Sequence, residues 1–292
     1  MFAYIEILRP INCLIAMLAV IAGGLISAQT LAGLYSMNLF FAIIAVFFIV
    51  GAGNVFNDYV DVEADKINRP KRPIPSGRIS KKNALIYSLL LFAIGIIICG
   101  FVNTTCFLIA LINSLLLVLY SYSFQHKVLL GNIIIGYLVG SVFIFGGAAI
   151  GNMTLSLILA VLSGLAIFSR EIIKDLEDIE GDKWTFLLKK EKKGMGERFV
   201  ITNKGVKPRI SEKLSLITAS IALLIAVLVS YVPYYMKILH QSYMGIVIPA
   251  DIIFLFCIME MIKRKRDYHT ISKWMKTGMV LALAAFIVGV LI

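Results

Sequence analysis

The chain has 292 residues, 60% of them hydrophobic and 15% charged, with a formal net charge of +11. It is long for one soluble core, and its apolar runs are too long for soluble helices. A nucleic-acid surface is disfavoured by where the charge lies: every Lys and Arg except Lys237 falls in or beside 1–10, 57–82, 122–128, 170–213 or 263–276.

Runs of about 18 to 20 apolar residues read as membrane spans. Nine are predicted, at 11–28, 39–56, 83–101, 104–121, 128–149, 154–173, 213–232, 243–262 and 273–292. The fold class is therefore all-α: a polytopic membrane protein of nine transmembrane helices. The cations occupy alternate connections, which is the positive-inside bias. That puts the N-terminus in the cytoplasm and, after nine spans, the C-terminus outside. The same basic face suits anionic lipid. The first run lacks a convincing small-residue cleavage site and is followed by further spans, so it does not read as a cleaved signal peptide. Cys13, Cys99, Cys106 and Cys257 sit unpaired in apolar runs and read as small buried hydrophobes. His126, His240 and His269 are isolated, with no haem or zinc pattern.

Taken in order, Arg9-Pro10 starts the first span, Pro being favoured at the first helical position. Arg9 is either a topology anchor or a phosphate ligand. Asn12 lies one turn into the span, where polar groups tend to face a cavity or a partner helix. The second span carries Gly51 and Gly53 near its end and runs into Asn57-Asp-Tyr-Val-Asp-Val-Glu-Ala-Asp-Lys66. On a continued helix Asn57, Asp61 and Asp65 share one face, with Asp58 beside them. Carboxylates about 5 Å apart repel by roughly 3 kcal/mol at an effective dielectric near 20. A cation must share such a cluster. Oxygen ligands without His or Cys suit a hard cation, most plausibly Mg²⁺. Residues 66–82, with Pro70, Pro73, Pro75 and Gly77, are too broken for a regular helix and bring Arg69 and Arg72 as donors for an anion.

The fourth span ends in Tyr120-Ser-Tyr-Ser-Phe-Gln-His-Lys127, and the fifth is Gly-rich. Lys127 is either a charge at the membrane edge or a phosphate ligand. Gly136 with Gly140, and Gly147 with Gly151, are spaced for close helix packing. The sixth span runs into a second acidic stretch. Residues 58–66 read Asp-x-x-Asp-Val-Glu-Ala-Asp-Lys, and residues 175–183 read Asp-x-x-Asp-Ile-Glu-Gly-Asp-Lys. Both are cytoplasmic by the charge rule. Acid at a helix C-terminus opposes the macrodipole, so finding it twice at matched spacing argues for purpose. The repeat suggests two related halves facing each other. Residues 183–212 read as a long Lys-rich segment, either a lid or a basic loop. Lys263-Arg-Lys-Arg266 reads as a topology anchor, and Trp184 and Trp274 fit the interfacial aromatic belt.

Two acidic clusters with cations around them suit a magnesium-bridged diphosphate, and an apolar bundle suits a hydrocarbon tail. Together they argue for a prenyl diphosphate, with metal-assisted loss of diphosphate leaving an allylic cation for a nucleophile. Tyr59, Tyr120 and Tyr122 are available as π faces for that cation or as ordinary interfacial tyrosines. A transporter is the non-enzymatic rival, but its carboxylates belong near the bilayer midplane. A CDP-alcohol phosphotransferase would show Asp-Gly followed by Ala-Arg in its motif, which is absent.

Asn57-Asp58-x-x-Asp61-x-x-x-Asp65 followed by Arg69-Pro-x-Arg-Pro-x-Pro-Ser-Gly-Arg78 resembles the first motif of the UbiA-type intramembrane prenyltransferases. Asp175-x-x-Asp178-x-x-x-Asp182 resembles their second. The resemblance covers nearly the whole chain and implies one domain over 1–292, a bundle around a central cavity, with loops 57–82 and 174–212 carrying the motifs. It implies Mg²⁺ as cofactor, with Asn57, Asp61, Asp65, Asp178 and Asp182 holding metal and diphosphate. Asp58, Asp61, Asp175 and Asp178 become the candidate catalytic carboxylates. Arg9, Asn12, Asn57, Arg69, Arg72, Lys127 and Lys174 become candidate substrate contacts. Glu-Gly-Asp in the second motif is most like the branch that prenylates a glycerol phosphate. That branch moves a geranylgeranyl group from its diphosphate to the hydroxyl of geranylgeranylglyceryl phosphate, the second ether bond of archaeal membrane lipids. An aromatic or quinone-precursor acceptor is the alternative. At 184–188 the chain reads Trp-Thr-Phe-Leu-Leu, where related proteins commonly have Gly, Ser or Thr and a short helix.

Overall fold

The structure, a computed structural model, describes residues 2–125, 127–192, 211–263 and 266–292, and their side chains except at 128 and 179–192. Every regular element among the described residues is helical: α1 (Phe2–Glu6), α2 (Pro10–Ala28), α3 (Met37–Val60), α4 (Val62–Asn68), α5 (Lys81–Gly100), α6 (Thr104–Leu119), α7 (Val128–Ile150), α8 (Thr154–Lys192), α9 (Glu212–Ser230), α10 (Val232–Tyr235), α11 (Ser242–Ile262) and α12 (Tyr268–Leu291). Among them, nine helical stretches are long and apolar enough to cross a membrane, matching the nine predicted runs. The chain forms two compact units. One takes the chain to Gln125 together with Tyr137–Val161 and Phe286–Ile292, and the other takes His126–Gly136 and Leu162–Ala285.

In the first unit α3 is the central element. It is apolar on every face, which is what a helix surrounded by other helices requires. Ala42, Ala45 and Ala52 are fully buried, so its neighbours approach its backbone. Ser88 of α5 donates to the Ala52 carbonyl at 3.0 Å, replacing water for a hydroxyl that has none. Glycine does the same work between α2 and α7. A Cβ on Gly23 would sit 2.3 Å from the Phe143 carbonyl oxygen, and one on Gly146 would sit 2.1 Å from that of Val20. Asn103 caps α6 by accepting from Cys106 N at 2.8 Å, and donates to the Ala148 carbonyl at 2.8 Å.

The second unit is built on α8 beyond Val161, α9, α11 and the first part of α12. Ile172, Ile173, Leu223, Met261, Ile271 and Met275 are among its fully buried side chains. Gly136 lies against the Gly164 carbonyl, where a Cβ would stand 2.7 Å from the oxygen. Asp251, buried within α11, accepts from Ser230 Oγ at 2.8 Å, and Tyr243 donates to the Ser230 carbonyl at 2.7 Å. A polar group in an apolar span is thus bonded to a neighbouring helix, as lipid surroundings demand.

Two expectations change. Gly151 packs against nothing within 4 Å; with φ +89° it ends α7, a conformation side chains rarely adopt. Residues 183–192 belong to helix α8, not to a loop. No Gly or Pro interrupts Lys183–Lys192, and the first breaker beyond it is Gly194. The remainder of that segment, 193–210, and positions 264 and 265 of the basic run lie outside the described residues, as does the Trp184 side chain. Trp274 meets Phe256 edge-on at 6.1 Å.

Candidate active site

The first motif straddles a break. α3 ends at Val60, and Asp61, at φ −82° and ψ 6°, separates it from α4. The hydrogen-bond ladder crosses this break: Asp61 N bonds Asn57 O at 2.9 Å and Asp65 N bonds Asp61 O at 2.8 Å. The proline-rich tail then folds back. Successive turns bond Arg72 N to Arg69 O at 3.0 Å and Ile79 N to Pro73 O at 3.1 Å, while buried Ile74 and Ile79 anchor them. The prolines suit these turns because each fixes φ and gives up a donor.

This fold-back returns Arg72 to the helix it followed. Its Nη1 donates to Asp58 Oδ1 at 3.0 Å and to Asp65 Oδ2 at 2.6 Å. Asp58 also accepts from Arg9 Nη2. Arg9 holds a left-handed backbone, φ 52° and ψ 70°, immediately before Pro10. That conformation is uncommon for a residue with a side chain, and costs about 1 kcal/mol. Asp58 is 2% exposed and Asp65 6%. Carboxylates so buried persist as ions only when paired, and the two guanidiniums provide that.

Asn57 and Asp61 take a different partner. Asn57 Nδ2 donates to Gln125 Oε1 at 3.0 Å, and Gln125 Nε2 donates to Asp61 Oδ2 at 2.9 Å. Gln125 follows a π-helical turn, Tyr120–Phe124, and its N–H bonds the Tyr120 carbonyl at 2.9 Å. The expected single face is therefore divided. Asp65 stands with Asp58 on Arg72, while Asn57 stands with Asp61 on Gln125. The division has a cause: the break at Asp61 and the returning arginine make an ionic partner available to Asp65. Arg69, Lys127 and Asn12 are exposed. Arg78 instead bonds Glu6 at 2.9 Å and the Lys71 carbonyl at 2.6 Å, tying the tail to α1.

In the second unit the second motif lies on unbroken helix α8. Asp175, 9% exposed, accepts from Asn132 Nδ2 at 3.0 Å. Asp178 and Lys174 are exposed, and Glu177 meets His269 at 2.9 Å. Arg170 pairs with Glu171 at 2.6 Å, and Lys174 reaches the same carboxylate at 3.6 Å. The side chain of Asp182 lies outside the described residues.

Gln125 and Asn132 were not among the expected site residues. The only sequence signal for either is an amide at the edge of an apolar run. Among the described residues no three His, Cys, Asp or Glu side chains converge as a metal cluster. The donor set nonetheless fits a hard cation at Asn57 and Asp61. Both offer oxygen, both are partly exposed, and neither is paired with an arginine there. Elsewhere in the first unit α3, α6 and α7 line a small, partly open apolar recess, with residues including Val46, Ile49, Leu117 and Phe145 and with Asn113 as its polar member.

Comparison with known proteins identifies the family. The UbiA prenyltransferase family matches residues 16–283. The chain is 42% identical to digeranylgeranylglyceryl phosphate synthase of Methanococcoides burtonii, covering 99% of this chain and 100% of that one. It is 39% identical to the enzyme of that name from Methanococcus aeolicus, covering 98% and 96%. A solved structure of a digeranylgeranylglyceryl phosphate synthase is similar with a TM-score of 0.84 at 36% identity, over 99% of this chain and 98% of that one. A UbiA homologue from Archaeoglobus fulgidus, solved with GPP and Mg²⁺, shares the fold with a TM-score of 0.65 at 15% identity, over 98% and 99%. With a family match over residues 16–283 and relatives 39–42% identical over nearly the whole chain, the chain belongs to the UbiA prenyltransferase family.

Proposed function

We propose that this prenyltransferase moves a geranylgeranyl group from geranylgeranyl diphosphate to the free hydroxyl of geranylgeranylglyceryl phosphate, in the membrane. The observation that carries the acceptor is full-length likeness, at 39–42% identity, to relatives named for that product. In the reaction the bond between the allylic carbon and the diphosphate oxygen breaks, and the electron pair leaves with the diphosphate. The acceptor oxygen then bonds that carbon and loses its proton.

The residues divide this work. Asn57 and Asp61, with Asp178 and Asp182 of the second motif, are the proposed oxygen ligands for Mg²⁺. When bound, the ion neutralises diphosphate oxygens and stabilises the leaving group. Asp58 and Asp65 hold the Arg72 guanidinium, and Asp58 holds Arg9. Such paired guanidiniums are pre-oriented donors for phosphate oxygens. Exposed Arg69, Lys127 and Lys174 supply further positive charge at their motifs. The apolar recess of the first unit suits part of a prenyl chain. Residues 1–292 act as one catalytic domain, with the N-terminus and both motifs cytoplasmic and the C-terminus outside, by the distribution of Lys and Arg.

The test is purified protein in detergent or nanodiscs with Mg²⁺, radiolabelled geranylgeranyl diphosphate and geranylgeranylglyceryl phosphate. Labelled diether phosphate is expected. No such product, or transfer to 4-hydroxybenzoate instead, overturns the acceptor.

A further inference from the structure

Gln125 lies outside both Asp motifs, yet it is bonded to two residues of the first. One arm of its amide accepts from Asn57 at 3.0 Å while the other donates to Asp61 at 2.9 Å. Both bonds matter for orientation. An amide nitrogen and its oxygen lie on opposite arms, so fixing Asn57 Nδ2 on Gln125 turns Asn57 Oδ1 away from it. Fixing one oxygen of Asp61 likewise fixes the direction of the other. If the Asn57 amide flipped, an N–H₂ group would face any cation bound there, and bonding would become repulsion. A neutral amide meets both demands. A carboxylate at 125 would repel Asp61, and an ammonium or guanidinium has no acceptor for Asn57. The backbone is specialised at the same place. The π turn Tyr120–Phe124 closes onto Gln125 N at 2.9 Å, and π turns are rare and concentrated at functional sites.

We infer that Gln125 is the positioning residue that presents the oxygens of Asn57 and Asp61 to the divalent cation. The inference rests on the metal-and-diphosphate reading given above. It assigns Gln125 no contact with the reacting atoms. It predicts that Gln125 governs metal affinity through Asn57 and Asp61, not the chemical step itself.

The test uses the full-length protein in nanodiscs, with Mn²⁺ and inorganic diphosphate as the probe and free Mn²⁺ read by electron paramagnetic resonance. Gln125→Met keeps the volume and removes both bonds. Affinity for Mn²⁺ is expected to fall about tenfold, the usual effect of losing a group that orients a ligand. The Mg²⁺ concentration for half-maximal turnover should rise by a similar factor, and saturating Mg²⁺ should restore most of kcat. In an Asn57→Ala background, Gln125→Met should weaken Mn²⁺ binding by clearly less than in the wild type, because one of its two targets is gone and only Asp61 is left to orient. Gln125→Leu supplies the same cycle if Gln125→Met is not recovered folded. Wild-type Mn²⁺ affinity in both variants overturns the inference, as does a kcat loss that Mg²⁺ cannot restore. Wild-type protein that binds no Mn²⁺ with diphosphate overturns the underlying reading instead, and the inference with it.

Discussion

The two acidic motifs have nearly the same sequence and different surroundings. Asp58 opens the first and Asp175 opens the second, at matching positions and with similar burial. Asp58 meets two guanidiniums, those of Arg9 and Arg72, and among the partners of Asp175 is the neutral amide of Asn132. The first motif is also broken at Asp61, while the second continues along α8. A sequence repeat preserves the helical spacing of carboxylates. It does not preserve their partners, which come from residues distant in the chain. The proline-rich tail exists only after the first motif, and it delivers Arg72.

The largest expected effect tests what the two motifs share. Asp61→Ala and Asp178→Ala remove matched oxygens, and each should lower turnover by at least about 10²-fold while the protein still elutes as a folded species. Either variant keeping wild-type turnover would remove that motif from the chemistry. An effect confined to Asp61 would show that the repeat is one of sequence alone.

Next come the partners in which the motifs differ. Arg72→Ala leaves two buried carboxylates without the cation between them, which costs about 3 kcal/mol of stability. Arg72→Lys should recover part of the loss, since both bonds come from the single nitrogen Nη1, a role that an ammonium can fill. Asn132→Ala removes one donor from Asp175 and costs about 1–3 kcal/mol. Thermal unfolding in one detergent ranks them. Equal losses would mean that the arginine and the amide do the same job for their carboxylates.

The sequence made the spans legible because lipid imposes long apolar runs, and most boundaries shift by one to three residues. The larger shifts are at α3, at the end of the sixth span and at the start of α12; α3 runs on from 56 to Val60, since Asn57 and Asp58 are helix-compatible once bonded to Gln125 and arginine. Metal-type oxygens at helical spacing were equally legible. The division of the first motif was not. It depends on a turn at Asp61, on a loop returning Arg72, and on Gln125, which lies far along the chain. Arg72 was readable as a donor for an anion, but its present anions are Asp58 and Asp65. Nothing in local periodicity distinguishes an arginine aimed at substrate from one aimed at its own motif.

The smallest effect isolates what burial adds to such a pairing. Glu6 and Arg78 form an arginine–carboxylate pair like that of Arg72, but both side chains are about half exposed. The hydrogen bond from Arg78 holds the Glu6 carboxyl below the usual glutamate range. A depressed folded pKa contributes stability above the unfolded pKa, and that contribution is lost as pH falls through the folded value. Glu6→Gln should therefore lower Tm slightly at neutral pH. The difference from wild type should close in acid, once the pH falls below the depressed folded value and Glu6 is protonated in both states. Added salt should close it too, because exposed pairs are screened while buried ones are not. A Glu6→Gln loss as large as that of Arg72→Ala, or one that persists in acid, would mean that burial is not what separates the two arginines. It would also mean that the tie between α1 and the tail helps to carry Arg72 back to Asp58.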